Sequence, residues 1–266
     1  MRVFFDTFVE PGSPILICEP TFPMYRYYAE IYGARISVLR YGSDMEFPLA
    51  DVVAALRKKP RVLFIANPNN PTGTLLQKDE LRRILKAAKY TAVVIDEAYA
   101  EFSGLSVVKW IGSYPQLFVA RTFSKVAGLA ALRLGAVIAC EQSLSLVRRA
   151  MPPFPVNLAA LVAAEAALKD TAAMNRYVFE VQRLRQWFAM ELGRLGVKTY
   201  ASAGNFLLAY FGPTGPHLFH KLDKQGILLR ERNKDIGPGF VRITIGTQSE
   251  MRRLLNTIRK EWRAPA

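Results

Sequence analysis

The sequence predicts an α/β fold: a mostly parallel sheet covered by helices, followed by a smaller C-terminal α+β unit. Short β-branched or apolar runs alternate with helix-period segments from the start to about residue 140, the pattern of βαβ units. Beyond an Ala-rich helical stretch, the remaining short runs are spaced by helices in a different rhythm.

The predicted strands of the first unit are residues 15–18, 35–39, 61–66, 91–96, 116–121 and 134–140. Between them 24–32, 49–58, 77–89 and 105–111 carry helical spacing. Residues 157–195 form a long helical stretch with a soft break at 169–171, a natural place for the chain to pass between domains. We therefore place a large domain at 1–168 and a small one at 169–266. In the second, 206–211, 227–230 and 240–245 are predicted strands, with helices at 214–225 and 248–263. No internal repeat or low-complexity segment is present.

Composition narrows the function classes. With 266 residues, 51% of them hydrophobic, the chain can bury a substantial core. No apolar run approaches the roughly 18–20 residues that span a bilayer. Asp6 and Glu10 interrupt what would be the apolar region of a signal peptide, so a cytoplasmic protein is expected. Cys18 and Cys140 fall at the ends of predicted buried strands, where a free thiol acts as a small hydrophobe in a reducing compartment. His217 and His220 share a helical face but lack further ligands nearby, and no metal site is expected. The net charge of +14 is spread over helices, as at Arg57, Lys58 and Lys59 or Arg148 and Arg149. It contains no run of five or six and no interleaved aromatics, which argues against nucleic acid as the partner.

In open α/β sheets, ligands bind outside the carboxyl ends of the strands. Several clusters fall there. NPNNPTG at 67–73 is a stiff loop after the third predicted strand. The next strand ends in Asp96, with Tyr99 close by, and the one after it runs into Arg121, Thr122, Phe123, Ser124 and Lys125, followed by Arg133. Singly each has a plain structural explanation, but in this order they answer the needs of one cofactor, pyridoxal phosphate. Lys125 supplies the amine for its aldehyde and a general base and acid for the substrate α-proton. Asp96 keeps the ring nitrogen protonated, and Asn70 and Tyr99 hydrogen-bond the phenolate oxygen. Thr122 and Ser124, two apart in a segment expected to be extended, join Arg133 in holding the phosphate.

The motifs PTFPMY (20–25), NPNNPTG, DEAYAEF (96–102), RTFSK (121–125) and GLAALRLG (128–135) resemble those of fold type I aminotransferases over essentially the whole chain. VRITIGT (241–247) and ILLR (227–230) are similar to segments of the histidinol-phosphate aminotransferase family, as is the strand opening at Asn205. The resemblance implies that Phe22 stacks on the cofactor ring, Arg242 clamps the substrate α-carboxylate and Arg230 meets the substrate phosphate. It implies transamination between histidinol phosphate, a small-molecule amino donor, and the keto acid 2-oxoglutarate, in a homodimer. An aromatic aminotransferase or a threonine-phosphate decarboxylase would use nearly the same cofactor residues; an inactive fragment binding anionic partners is the alternative from another class. Two departures stand out. The likeness begins at the end of an early family helix, which implies that an N-terminal arm, a phosphate-binding glycine turn and a tyrosine reaching the partner's cofactor lie outside this chain. Ala131 stands where many relatives carry Gly.

Overall fold

The computed structural model describes residues 1–262, arranged on two sheets. The first part runs α1 (Arg2–Phe8), β1 (Pro14–Glu19), α2 (Met24–Ile31), β2 (Arg35–Arg40), α3 (Leu49–Ala55), β3 (Val62–Ala66), α4 (Lys78–Ala87), β4 (Ala92–Asp96), α5 (Ala100–Ser103), β5 (Leu117–Thr122), β6 (Gly135–Ile138) and α6 (Glu141–Arg149). Its six strands lie in the order β2-β1-β3-β4-β5-β6. All neighbours are parallel except β5 and β6, which pair antiparallel.

Burial explains the order. β3 is buried at every residue, as a strand covered on both faces must be. β2 alternates and places Arg35 and Arg40 at the exposed edge, where charge discourages further strand addition. Alternate residues feed two cores. Leu63, Ile65, Val93, Ile95, Leu117 and Val119 pack with Val52 of α3 and Leu81, Ile84 and Leu85 of α4. Val62, Phe64, Val94 and Phe118 pack on the other face with Phe4 and Phe5 of α1, Tyr25 of α2 and Val147 of α6. α4 starts with a capping box between Gln77 and Glu80, satisfying two backbone donors.

The chain continues as α7 (Leu158–Lys169), α8 (Thr171–Arg194), β7 (Lys198–Thr199), β8 (Phe206–Tyr210), α9 (Gly215–Lys224), β9 (Arg230–Glu231), β10 (Phe240–Thr244) and α10 (Gln248–Glu261). The interruption at Asp170 coincides with the break expected there; its side chain accepts from the Ala173 amide and caps α8. The second sheet, β7-β8-β10-β9, packs Phe206, Leu207, Val241 and Ile243 against Phe188 and Leu192 of α8, Leu218 and Leu222 of α9, and Leu254 and Ile258 of α10.

Several expectations are corrected. Residues 105–111 hold only a 3-10 turn, Val108–Trp110, because the buried Glu97 carboxylate takes the Val107 amide at 2.7 Å and the Ser106 hydroxyl at 2.8 Å. The strand expected at 227–230 pairs only at Arg230–Glu231, since β10 offers partners only at Val241 and Arg242. Cys140 is half-buried at the start of α6, outside the strand. The last helix ends at Glu261; the expected end at Arg263 lies outside the described residues. No described helix is long and apolar enough to cross a membrane.

Candidate active site at the open end of the parallel sheet

The carboxyl ends of β3, β4 and β5 place Ala66, Asp96 and Ala120 in one row, since Ala66 is registered with Asp96 and Asp96 with Ala120. In-register neighbours project to the same face of a sheet. One carboxylate therefore sits between two methyl groups, with open space above it. Its Oδ2 accepts from the Tyr25 hydroxyl at 2.9 Å and its Oδ1 from the Ala98 amide at 3.1 Å. Burial pushes this carboxyl above its ordinary range; the two hydrogen bonds and the nearby Met1 ammonium and Lys125 pull it back down.

The 67–73 loop is rigid for reasons internal to it. Asn67 bonds the Leu76 amide and carbonyl at 2.8 and 3.2 Å, and Asn69 accepts from Thr21 and donates to the Pro20 carbonyl and Thr72. Three of its polar side chains, Asn67, Asn69 and Thr72, are nearly inaccessible, consistent with the rule that buried polar groups are paired. Asn70 is thereby presented to the cavity, where its Oδ1 accepts from Arg242 at 2.6 Å. That leaves its amide nitrogen as the outward donor.

Tyr99 follows β4, buried and perpendicular to Phe206 of β8 at 5.2 Å. Lys125 Nζ lies 5.3 Å from the Tyr99 ring centre. Burial lowers the Lys125 pKa; Arg242 and Arg133 lower it further, and Asp96 opposes them. Thr122 ends β5, but Ser124 lies in a bend rather than the extended segment expected, because its amide donates to Thr122 Oγ1 at 3.1 Å. Both still face the cavity. Arg133 arrives by an unexpected route: β6 runs antiparallel to β5, so Arg133, two residues before it, lies at the same end of the sheet. There Gly135 permits close approach, since a Cβ would stand 2.7 Å from the Arg121 carbonyl oxygen.

One cavity of about 700 Å³ is lined by Phe22, Asn70, Asp96, Tyr99, Thr122, Ser124, Lys125, Arg133 and Arg242. Nine of the ten residues singled out in the sequence thus converge. Arg230 does not line the cavity and is exposed; it pairs with Arg242 across β9 and β10 and so shares its face, one strand further out. Sequence reasoning missed Tyr25, the floor residues Ala66 and Ala120, and Arg121, which also lines the cavity and is held by Glu97 and Glu101 at 2.7 Å each. The run of alanines at or near strand ends was the available signal for the floor. A smaller cavity of about 430 Å³, bordered by Asp44, Glu46, Gly73 and Tyr200, contains none of the ten.

The charges are arranged for a guest. Among the described residues, none of Asp96, Lys125, Arg133 and Arg242 forms an ion pair within 4.0 Å. Among the described residues, the buried Nε of Arg242 has no partner. A flat molecule with a cationic ring edge and anionic substituents satisfies both ends.

Residues 1–258 match the family described as aminotransferase class I and II. The chain belongs to that family. Among its relatives, the histidinol-phosphate aminotransferase of Cytophaga hutchinsonii is 35% identical over 255 residues, covering 94% of this chain and 73% of the relative. That of Roseiflexus castenholzii is 37% identical over 258 residues, covering 95% and 69%. Solved aminotransferases share the fold. The histidinol-phosphate aminotransferase of Clostridium acetobutylicum superposes with a TM-score of 0.90 at 26% identity, over 97% of this chain and 79% of that one. The Sinorhizobium meliloti enzyme, solved with pyridoxal-5'-phosphate, gives 0.89 at 25%, over 97% and 73%.

Proposed function

We propose that this aminotransferase uses pyridoxal phosphate, held in the 700 Å³ cavity, to move the amino group of histidinol phosphate to 2-oxoglutarate, giving imidazole acetol phosphate and glutamate. The observation that carries the reading is the half-buried Asp96 in its alanine-flanked slot, with Lys125, Arg133 and Arg242 around the same cavity and, among the described residues, none of the four in an ion pair. When bound, pyridoxal phosphate supplies an electron sink for the pair left on the substrate α-carbon.

The chain's own residues would divide the work. Asp96 would hold the ring nitrogen in its protonated form, and Phe22 would cover the ring. Asn70, its orientation set by Arg242, and Tyr99 would donate to the phenolate oxygen. Arg133 with the Thr122 and Ser124 hydroxyls would hold the phosphate. Lys125 would anchor the aldehyde and then, its pKa lowered, carry the α-proton away and return it at the cofactor's aldehyde carbon. Arg242 would fork onto the substrate carboxylate or its counterpart, and Arg230, next outward on the same face, would reach the substrate phosphate.

A second reading has one observation in its favour: an L-threonine-O-3-phosphate decarboxylase from Porphyromonas gingivalis superposes with a TM-score of 0.80 at 26% identity. Turnover of histidinol phosphate, threonine phosphate and phenylalanine, assayed side by side with added cofactor, tests the assignment. Release of carbon dioxide from threonine phosphate without glutamate formation would overturn it. The same reading includes action as a cytoplasmic homodimer, which sedimentation of the loaded protein and fractionation of the source cells check.

A further inference from the structure

The cavity floor contains one strong contact to which neither the family resemblance nor the proposed mechanism gives a role. We propose that Tyr25 is a positioning residue of the cofactor site: its hydroxyl fixes the Asp96 carboxylate while its ring fixes the angle of Phe22. The proposal rests on the reading of Asp96 and Phe22 as the groups that hold the cofactor ring.

Tyr25 belongs to the first turn of α2 and is completely inaccessible. Its ring lies parallel to Phe64 of β3, with centres 5.2 Å apart and planes 15° apart. Phe22 stands perpendicular to it, at 5.6 Å and 84°. These two contacts remove the ring's freedom and leave its hydroxyl only one direction. That direction is Asp96 Oδ2, 71 residues away in sequence. With the Ala98 amide on Oδ1, the carboxylate is gripped at both oxygens from two elements, α2 and the turn after β4.

The grip has a chemical consequence. A buried phenol facing a carboxylate keeps its proton, and here burial and Asp96 both push the Tyr25 pKa well above its ordinary value. The hydroxyl is therefore a donor at every working pH, and it favours the ionised form of Asp96 against the pull of burial. The other ionisable groups acting on Asp96 are the Met1 ammonium ahead of α1, Lys125 beyond β5 and Tyr99 beyond β4. Of these groups only Tyr25 makes a hydrogen bond to it. A carboxylate held in place, its ionised form favoured by a donated hydrogen bond, is what a ring N–H⁺ needs as a partner.

Tyr25→Phe deletes the hydroxyl and keeps the ring. Its test has two readouts. In the cofactor-free protein, the Asp96 carboxyl carbon, followed by NMR, should titrate at higher pH in the variant, because a bond to the charged form has been lost. The dissociation constant for pyridoxal phosphate, measured by equilibrium titration, should rise about tenfold, the lower end of what a hydrogen bond to a charged group is worth. In an Asp96→Asn background the same substitution should change the dissociation constant less than twofold, because its effect passes through the carboxylate. An unchanged Asp96 titration, or an equal loss of affinity in both backgrounds, would overturn the proposal. Failure of the wild-type protein to bind the cofactor at all would instead refute the underlying reading of the site.

Discussion

Replacing Arg242 by Met separates the chemistry of the site from its architecture. Methionine keeps an unbranched stem against Phe206, whose ring centre lies 5.5 Å from the guanidinium carbon, and removes the charged fork. Each hydrogen bond between a guanidinium and a carboxylate is worth about 1.5–3 kcal/mol, so a two-point clamp contributes about 3–6 kcal/mol. That corresponds to a fall in kcat/KM for 2-oxoglutarate of roughly 10²- to 10⁴-fold. The carboxylate is present in ground and transition states alike, so most of the loss belongs in KM. Stability should change far less. Asn70 loses its partner at 2.6 Å, a cost of about 1–3 kcal/mol, while an unpartnered buried Nε and a partly desolvated cation disappear. Initial rates of glutamate formation with 2-oxoglutarate varied at a fixed, saturating concentration of histidinol phosphate, beside thermal unfolding of the same samples, give both quantities. A fall in kcat/KM for 2-oxoglutarate below tenfold, with folding intact, would refute the assignment of Arg242 as the carboxylate clamp.

The other expectations are independent of that one. Lys125→Ala should abolish the visible absorption band that appears when the wild-type protein is mixed with pyridoxal phosphate; an unchanged band would place the attachment elsewhere. With its pKa lowered, the Lys125 amine should be carbamylated by cyanate at a lower pH than surface lysines. Arg242→Met should move its rate profile to higher pH and Asp96→Asn to lower pH, since they remove a like and an opposite charge respectively; mass spectrometry of the labelled peptide reads both, and shifts of the opposite sign would contradict the geometry. Glu97→Ala should cost about 3–5 kcal/mol in urea unfolding, because it strands Arg121 together with the Val107 amide and Ser106 hydroxyl; a loss below about 1 kcal/mol would deny the pair its structural role. Gly73→Ala should destabilise by at least about 2 kcal/mol, since φ is +82° there and the added methyl would lie 2.7 Å from Ser202 Cα. Unchanged urea midpoint and slope for that variant would show that the loop gives way.

The parallel strands were legible because each is a short buried run ending in polar residues, and Asp96, Asn70 and Lys125 follow those runs directly. The sense of β6 was not legible: an apolar run such as 134–140 has the same pattern in either direction, and only the pairing of Thr122 with Gly135 fixes it. The helix expected at 105–111 failed because its amides are claimed from outside by Glu97, a contact that no local periodicity encodes. Tyr25 was hidden for the same reason, its partner being 71 residues distant. Arg230 was found by likeness of sequence, yet its exposed place at the rim follows from a two-residue strand that local pattern overstated.

The reversed edge strand has a consequence for how this site tolerates change. Lys125 and Arg133 open and close one excursion of the chain, and both of its feet rest on the same rung, Thr122 against Gly135. The distance between the two cations is thus governed by ladder bonds at the base, and the residues at the crown of the excursion are free of that duty. Sliding β6 by a single residue would carry Arg133 about 3.4 Å along the edge, whereas lengthening the crown between Ala127 and Ala131 would leave both feet planted.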